Sequence, residues 1–236
     1  PNVEIRLITD DLAISPTSDS FDVINTVLGQ PDVIVSLFSA QITYDLTGVA
    51  GVGHGITLEY STDGGTTWIA DANITGDIAG VLPGTGHILT WDTAAVFPGN
   101  LPGVRVRLRT NDNALSPDSL PFDVLGTMIP TPLTTINFGS VLVTYDLIGI
   151  PGVGHGIFLE YSVDGGVTWV ADSNTSGDIS GVLPGTNHTL LWDTSAVFPG
   201  NQSGVRIRLR SDDNALSPSC SPFDVFNTSL TQPLVS

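Results

Sequence analysis

Lysine is absent from this 236-residue sequence. Its seven basic residues are all arginines, set against 24 aspartates and glutamates, for a net charge of −17. Phosphate backbones are held by positive surface, so this balance argues against a nucleic-acid partner. It suits solubility, multivalent cations or a salty exterior instead. Cysteine occurs once, at Cys220, so the chain cannot close an internal disulfide. Secreted β-sandwiches often lack cysteines, and a single thiol decides nothing about the redox compartment. No apolar run approaches the roughly 18 residues of a membrane-spanning helix. No segment sustains the 3.6-residue periodicity of an amphipathic helix. Neither a membrane span nor a helix of consequence is expected.

Glycine and proline are abundant, at 26 and 16 residues, as short strands and many turns require. The stretch Leu58-Glu59-Tyr60-Ser61-Thr62-Asp63-Gly64-Gly65-Thr66-Thr67-Trp68 returns as Leu159-Glu160-Tyr161-Ser162-Val163-Asp164-Gly165-Gly166-Val167-Thr168-Trp169, an offset of 101 residues. An apolar/polar alternation runs into Asp-Gly-Gly and out to Trp. That is the pattern of a β-hairpin whose glycines accept the positive φ of a tight turn. Asp63, Gly65 and Trp68 are its structural positions, with Asp164, Gly166 and Trp169 in the second copy.

The same offset organises the chain into modules. Residues 1–24 read as the C-terminal strands of a preceding module, because Val3 to Leu7, Ser15-Pro16 and Phe21-Asp22-Val23 match Val104 to Leu108, Ser116-Pro117 and Phe122-Asp123-Val124. Residues 31–125 and 132–226 read as full repeats. Residues 227–236 read as a linker and the start of another module, with Gln232-Pro233-Leu234 matching Thr131-Pro132-Leu133. The chain is thus out of phase with its own repeat at both ends. We therefore expect a piece of a longer array, or copies that complete each other's sheets. No signal peptide is visible, and an opening in mid-repeat points to a start further upstream. Residues 26–31 and 127–132 are short and contain proline, so extended, semi-rigid joints are expected there.

Within one repeat, strand signals cover 33–38, 41–46, 55–61, 66–71, 87–92, 104–109 and 121–125, with a short edge strand near Ile78. About seven strands in about 95 residues indicate an all-β fold, an antiparallel two-sheet sandwich. Alternation points Tyr44, Ile56, Leu58, Tyr60, Trp68, Leu89, Trp91, Val104, Val106, Leu108, Phe122 and Val124 inward. Arg105, Arg107 and Arg109 share the opposite face of their strand. They can pair with Glu59 and Asp123 on neighbouring strands, or meet an acidic neighbouring module.

Chemistry-bearing residues are sparse. Nucleophile-elbow spacing is absent, and an active site duplicated in every repeat would be unusual, so no enzyme is expected. His54, His87 and Asp112 fall in three loops that an immunoglobulin-type topology would gather at one pole, as do His155, His188, Asp212 and Asp213. Two imidazoles and a carboxylate could hold a transition ion, and Asp and Asn oxygens could hold Ca²⁺. Ordinary turn chemistry accounts for the same residues with no cofactor. Glycosylation sequons occur at five asparagines, of which Asn73 and Asn174 occupy equivalent loop positions.

The repeat resembles the fibronectin type III and bacterial immunoglobulin-like families in architecture and spacing across its whole length. Ser61 to Trp68 and Ser162 to Trp169 resemble the Asp-box hairpin of sialidase propellers. A propeller blade recurs at roughly 40–50 residues, so the hairpin is kept and the propeller rejected. Similar modules in large bacterial surface proteins imply an extracellular or cell-surface location. The expected role is a structural repeat of a filament, sheath or surface layer, with other copies of itself as partner. The alternative is an adhesin or carbohydrate-binding accessory contacting glycan through residues 73–86.

Overall fold

A computed structural model describes residues 2–22 and 25–229. Val23 of the opening match and the repeat start at Gln232-Pro233-Leu234 lie outside them. The chain forms two compact units, one of residues 1–34, 41–91 and 103–122, the other of 35–40, 92–102 and 123–236.

Strands β1 (Asn2–Val3) and β2 (Phe21–Asp22) pair antiparallel. Then follow β3 (Val27–Leu28), β4 (Asp32–Ser36), β5 (Ser39–Thr47), β6 (Ile56–Ser61), β7 (Ile69–Asp71), β8 (Ile74–Gly76), β9 (Gly84–Asp92), β10 (Leu101–Thr110) and β11 (Phe122–Val124). They build one sheet ordered β3-β5-β9-β8, with β4 also on β5, and another ordered β11-β10-β6-β7. The second copy comprises β12 (Leu133–Asn137), β13 (Ser140–Leu147), β14 (Ile157–Ser162), β15 (Val170–Asp172), β16 (Thr175–Gly177), β17 (Gly185–Asp193), β18 (Gln202–Ser211) and β19 (Phe223–Val225). Its sheets run β12-β13-β17-β16 and β15-β14-β18-β19. The fold is therefore all-β, with antiparallel sandwich sheets recurring at the repeat period. A single 3₁₀ turn, Thr93–Ala95, is the one named helix among the described residues. No described helix is long and apolar enough to cross a membrane.

Alternation explains the interior. In the second unit Val141, Val143, Tyr145 and Leu147 of β13 and Leu190 and Trp192 of β17 meet Ile157, Leu159, Val205, Ile207 and Leu209 of the facing sheet in one core. In the first unit, Leu58 of β6 lies opposite Leu108 of β10, both fully buried. The stretches 26–31 and 127–132, expected as extended, semi-rigid joints, carry sheet pairing: Val27 and Leu28 pair with Thr47 and Leu46, and Met128 pairs with Ile148. Leu28 and Ile129 are 2% and 1% exposed, so apolar burial outweighs the prolines beside them. The short edge strand expected near Ile78 is β8, which ends at Gly76, and the Ile78 carbonyl accepts the Ile56 N–H at 2.8 Å. Trp68 is only half-buried, because the Asp-Gly-Gly turn interrupts the period-2 phase that placed it inward.

Beyond β10 the chain closes the sheet without a full strand. Ser116 Oγ accepts the Leu108 N–H at 2.9 Å and Ser119 Oγ accepts the Val106 N–H at 3.0 Å. The Ser116 and Ser119 N–H groups return to the Leu108 and Val106 carbonyls. Two hydroxyls thus stand in for the carbonyls of a neighbouring strand. Ser217 and Cys220 do the same for Leu209 and Ile207, the thiol at 3.2 Å. Burial pushes the Cys220 thiol pKa up, which keeps it protonated and inert. Residues 2–22 repeat this device through Ser15 and Ser18. There, however, Ile5, Leu7, Ile8, Leu12 and Ile14 are exposed, whereas Val106 and Leu108, the counterparts of Ile5 and Leu7, are fully buried.

Thiol and hydroxyl fill the same role, so Cys220→Ser should change stability by less than about 1 kcal/mol. Ser119→Ala strands a buried N–H and should cost about 1–3 kcal/mol. Urea denaturation of both variants checks the pair; equal losses would refute the role given to the hydroxyl.

Candidate functional site

Two constructions recur in each repeat: an ionic layer on the outer face of one sheet, and a histidine–aspartate cluster at the loop end. The first begins with the turn. Ser61 Oγ donates to Asp63 Oδ1 at 2.8 Å and accepts the Gly65 N–H at 2.9 Å. Asp63 Oδ1 accepts the Thr66 and Thr67 N–H groups at 3.0 and 2.9 Å, and Oδ2 accepts the Thr67 hydroxyl at 2.6 Å. Gly64 and Gly65 sit at φ 77° and 97°, where a side chain would be strained. The hydroxyl of Thr67, the Thr67 N–H and the Ser61 hydroxyl together hold the Asp63 pKa down at about 2. Asp164 is lowered in the same way, first by Thr168. Trp68 Nε1 donates to the Gly65 carbonyl at 2.9 Å, and Trp169 to Gly166 at 3.0 Å.

The turn delivers Trp68 beneath the Arg107 guanidinium, 4.3 Å from its ring centre. Glu59 lies opposite Arg107 in the β6–β10 register. Arg107 Nε reaches Glu59 Oε2 at 2.6 Å and Arg109 Nε reaches Oε1 at 2.7 Å. Burial pushes the Glu59 carboxyl up, but the hydrogen bonds and charges of Arg109 and Arg107 outweigh it and hold the pKa below its usual value. Glu160, Arg208, Arg210 and Trp169 repeat the layer. Arg105 does not reach Glu59; it donates to the Ser119 carbonyl at 3.1 Å.

The second construction divides the expected histidine sets. His54 is buried, its Nδ1 3.9 Å from Asp112 Oδ1. Asp112 also accepts the Thr26 hydroxyl at 2.5 Å and the Thr110 hydroxyl. His87 is not part of this cluster. Its Nδ1 lies 3.7 Å from Asp77, and its ring tilts against Tyr44. His188 likewise faces Asp178 and Tyr145. Each imidazole packs against the tyrosine of the adjacent strand, which draws it away from the loop end.

The second unit carries the denser cluster. His155 Nδ1 lies 3.2 Å from Asp212 Oδ1 and 3.8 Å from Asp213 Oδ1. This is the one set of three metal-capable side chains among the described residues. Its donor chemistry is of a kind that coordinates divalent ions. Asp213 accepts the Ser211 hydroxyl and, at 2.9 Å, the Asn100 N–H, while the Thr127 hydroxyl lies 3.4 Å from His155 Nε2. Burial raises the Asp213 pKa, but these hydrogen bonds and His155 bring it below its usual value. Asn100 Oδ1 in turn accepts the Gly126 and Thr127 N–H groups at 2.7 and 2.9 Å. Gly99 is seated so closely that a Cβ would stand 2.5 Å from Asp213 Oδ2. A cleft of about 390 Å³, lined by Phe97 to Leu101, Val153 to His155, Asp212 and Asp213, opens on this seat. Gly99, Asn100 and Thr127 build the surroundings of Asp213 and His155, and composition does not mark them. Their recurrence as Gly200, Asn201 and Thr228 is the signal that could find them.

Asn73 and Asn174 are exposed, each with its side-chain amide donating to Asp71 or Asp172, at 2.8 and 2.7 Å.

No protein-family model matches the sequence, and no curated protein does. Among solved structures, the chicken CNTN1 FN1–FN3 domains match at 13% identity over 96% of this chain and 75% of theirs, with a TM-score of 0.24. A score that low carries no functional inference, and the sandwich assignment rests on the sheets themselves.

Two outcomes follow from the ionic layer and its turn. Glu59→Gln leaves two guanidiniums facing a neutral amide. The pairing is more buried than a surface bridge and less than a core one, so the loss should be about 2–3 kcal/mol in urea denaturation. Because Asp63 is more acidic folded than its ordinary 3.8, the turn keeps its full stability above about pH 4 and loses it as pH falls toward about 2. The Thr66 and Thr67 amide shifts should therefore titrate with a midpoint near 2; a midpoint at 3.8 would contradict the turn geometry.

Proposed function

We propose that this chain is a non-catalytic structural stretch of an extracellular filament, sheath or surface layer, with 31–125 and 132–226 as its building block. Copies associate through module ends and edge strands. The observation that carries this reading is the hairpin of residues 2–22. It keeps the hydrogen bonds of the hairpin that closes each repeat, yet its apolar side chains are exposed. In the repeats, the matching strand is covered by β6 or β14. A two-stranded hairpin alone is at best marginally stable, so strands of another copy, or of a preceding part of the same chain, are its natural cover. The acidic surface keeps such copies soluble until they dock. No bound cofactor is required by this role, and Ca²⁺ at the Asp-rich loops would act only as a stabiliser.

A second reading is an adhesin or glycan-binding accessory on a surface stalk. It draws on loop 73–86, where Leu82 is exposed. Glycan-array binding would favour it.

Sedimentation across a concentration series, with limited proteolysis at each step, tests the first reading. Residues 2–22 should be cut first in dilute protein and become protected as larger species form. Equal resistance in a dilute monomer would rule out cover by a neighbouring copy.

A further inference from the structure

The hairpin of residues 2–22 has one closed edge and one open edge. Ile5 and Leu7 direct their N–H groups to the Ser18 and Ser15 hydroxyls, at 3.1 and 2.9 Å, and their carbonyls accept the Ser18 and Ser15 N–H groups at 2.9 Å. Peptide groups alternate in direction along an extended strand, so those of Glu4, Arg6 and Ile8 face the other edge. Among the described residues β1 and β2 form a two-stranded sheet with no third member. At twice the 101-residue offset, Glu4, Arg6 and Ile8 stand where Arg206, Arg208 and Arg210 stand on β18. There the same edge is filled by β14, with Ser162 opposite Arg206, Glu160 opposite Arg208 and Phe158 opposite Arg210.

We propose that this open edge is a docking site for one further hairpin of the β14–β15 kind, carried by a repeat unit that has no closing strand of its own. The proposal rests on the reading that repeat strands cover residues 2–22, and it names the strand. Arg208 shows what such a hairpin supplies to its counterpart Arg6. Glu160 Oε2 lies 2.7 Å from the Arg208 guanidinium, and the Trp169 ring centre lies 4.3 Å from it. Both groups come from one hairpin, the carboxylate from β14 and the indole from just beyond its turn. Arg6 is exposed and offers the same cation. Ile8 replaces Arg210, and an isoleucine pairs best with an apolar cross-strand neighbour. A β14-type strand offers Phe158 at that position, whereas a β6-type strand offers Thr57. The added strand also covers Ile5 and Leu7, whose counterparts Ile207 and Leu209 lie opposite Tyr161 and Leu159 and are fully buried. Main-chain pairing of this kind supplies affinity, and the alternate side chains supply selectivity. Strands β6 and β14 of the chain itself each lie between two neighbours, so neither is free to fill the edge.

The test uses the full chain and a synthetic peptide of residues 156–172 as the probe. The peptide contains no arginine or lysine, so trypsin leaves it intact. Calorimetry should show saturable binding of one peptide per chain, and bound peptide should protect the Arg6–Leu7 bond from trypsin. A Glu160→Gln peptide should bind about fivefold more weakly, the value of one ion pair of about 1 kcal/mol. Arg6→Glu, a change at an exposed position, should weaken the natural peptide and favour a Glu160→Arg peptide in its place. No saturable binding, cleavage at Arg6 unchanged by bound peptide, or indifference to the charge exchange would each overturn the assignment. Sedimentation without peptide separates this from the assembly reading. A chain that associates but binds no peptide overturns the docking site alone, and a chain that binds peptide but stays monomeric at every concentration overturns association of copies alone.

Discussion

The interior of each sandwich depends on a tryptophan that must be buried and yet satisfied. Trp91 on β9 is fully buried, and its indole N–H reaches Asp71 Oδ2 on β7 at 2.7 Å. Those strands belong to different sheets. An indole carries more apolar area than almost any side chain, but burying its N–H unpaired costs more than a lost hydrogen bond. The carboxylate meets that demand only if the two sheets face each other at one spacing. Tyr60 stacks on the same ring at 5.5 Å. Trp192, Asp172 and Tyr161 reproduce the arrangement. Everything on the outside, from the arginine layer to the loop-end histidines, is positioned by sheets held in this way.

Much of this was legible in the sequence, because period-2 alternation and a repeated turn are local signals. Leu58, Leu89, Val104, Val106 and Leu108 point inward as alternation predicts, and Glu59 meets two of the three arginines. The turn itself, with Asp63 accepting four donors, follows from Ser-x-Asp-x-Gly. What was not legible depends on partners far apart in the chain. Trp68 turns outward to a guanidinium that alternation cannot see across the glycines. Val27-Leu28 is too short to show a pattern, and Pro31 beside it reads as a joint. His87 and His188 pack on tyrosines about one strand away, so their loop position misleads. Asn100 reads as a turn residue until Asp213 is found against its N–H.

Some of the positions at which the two copies differ act as internal experiments. Asn111 against Asp212 changes the charge beside a buried histidine. Ser119 against Cys220 exchanges a strong acceptor for a weak one in the same buried role. Phe38 sits at φ 71° where the second copy has Gly139 at 74°. A left-handed backbone costs a bulky residue on the order of 1–2 kcal/mol that glycine does not incur. The fold tolerates that cost in one copy, which shows how firmly the surrounding sheets impose the turn.

The serine hydroxyls that stand in for a strand have a consequence for a chain built from near-copies. Adjacent repeats of similar sequence are prone to trade strands during folding, since each presents peptide groups the other can satisfy. By answering the Val106 and Leu108 amides from within the same hairpin, Ser116 and Ser119 leave those two peptide groups with no open donor for a strand of another copy. Covalent nearness thereby works as a guard against exchange on that edge, whatever the strand beside it.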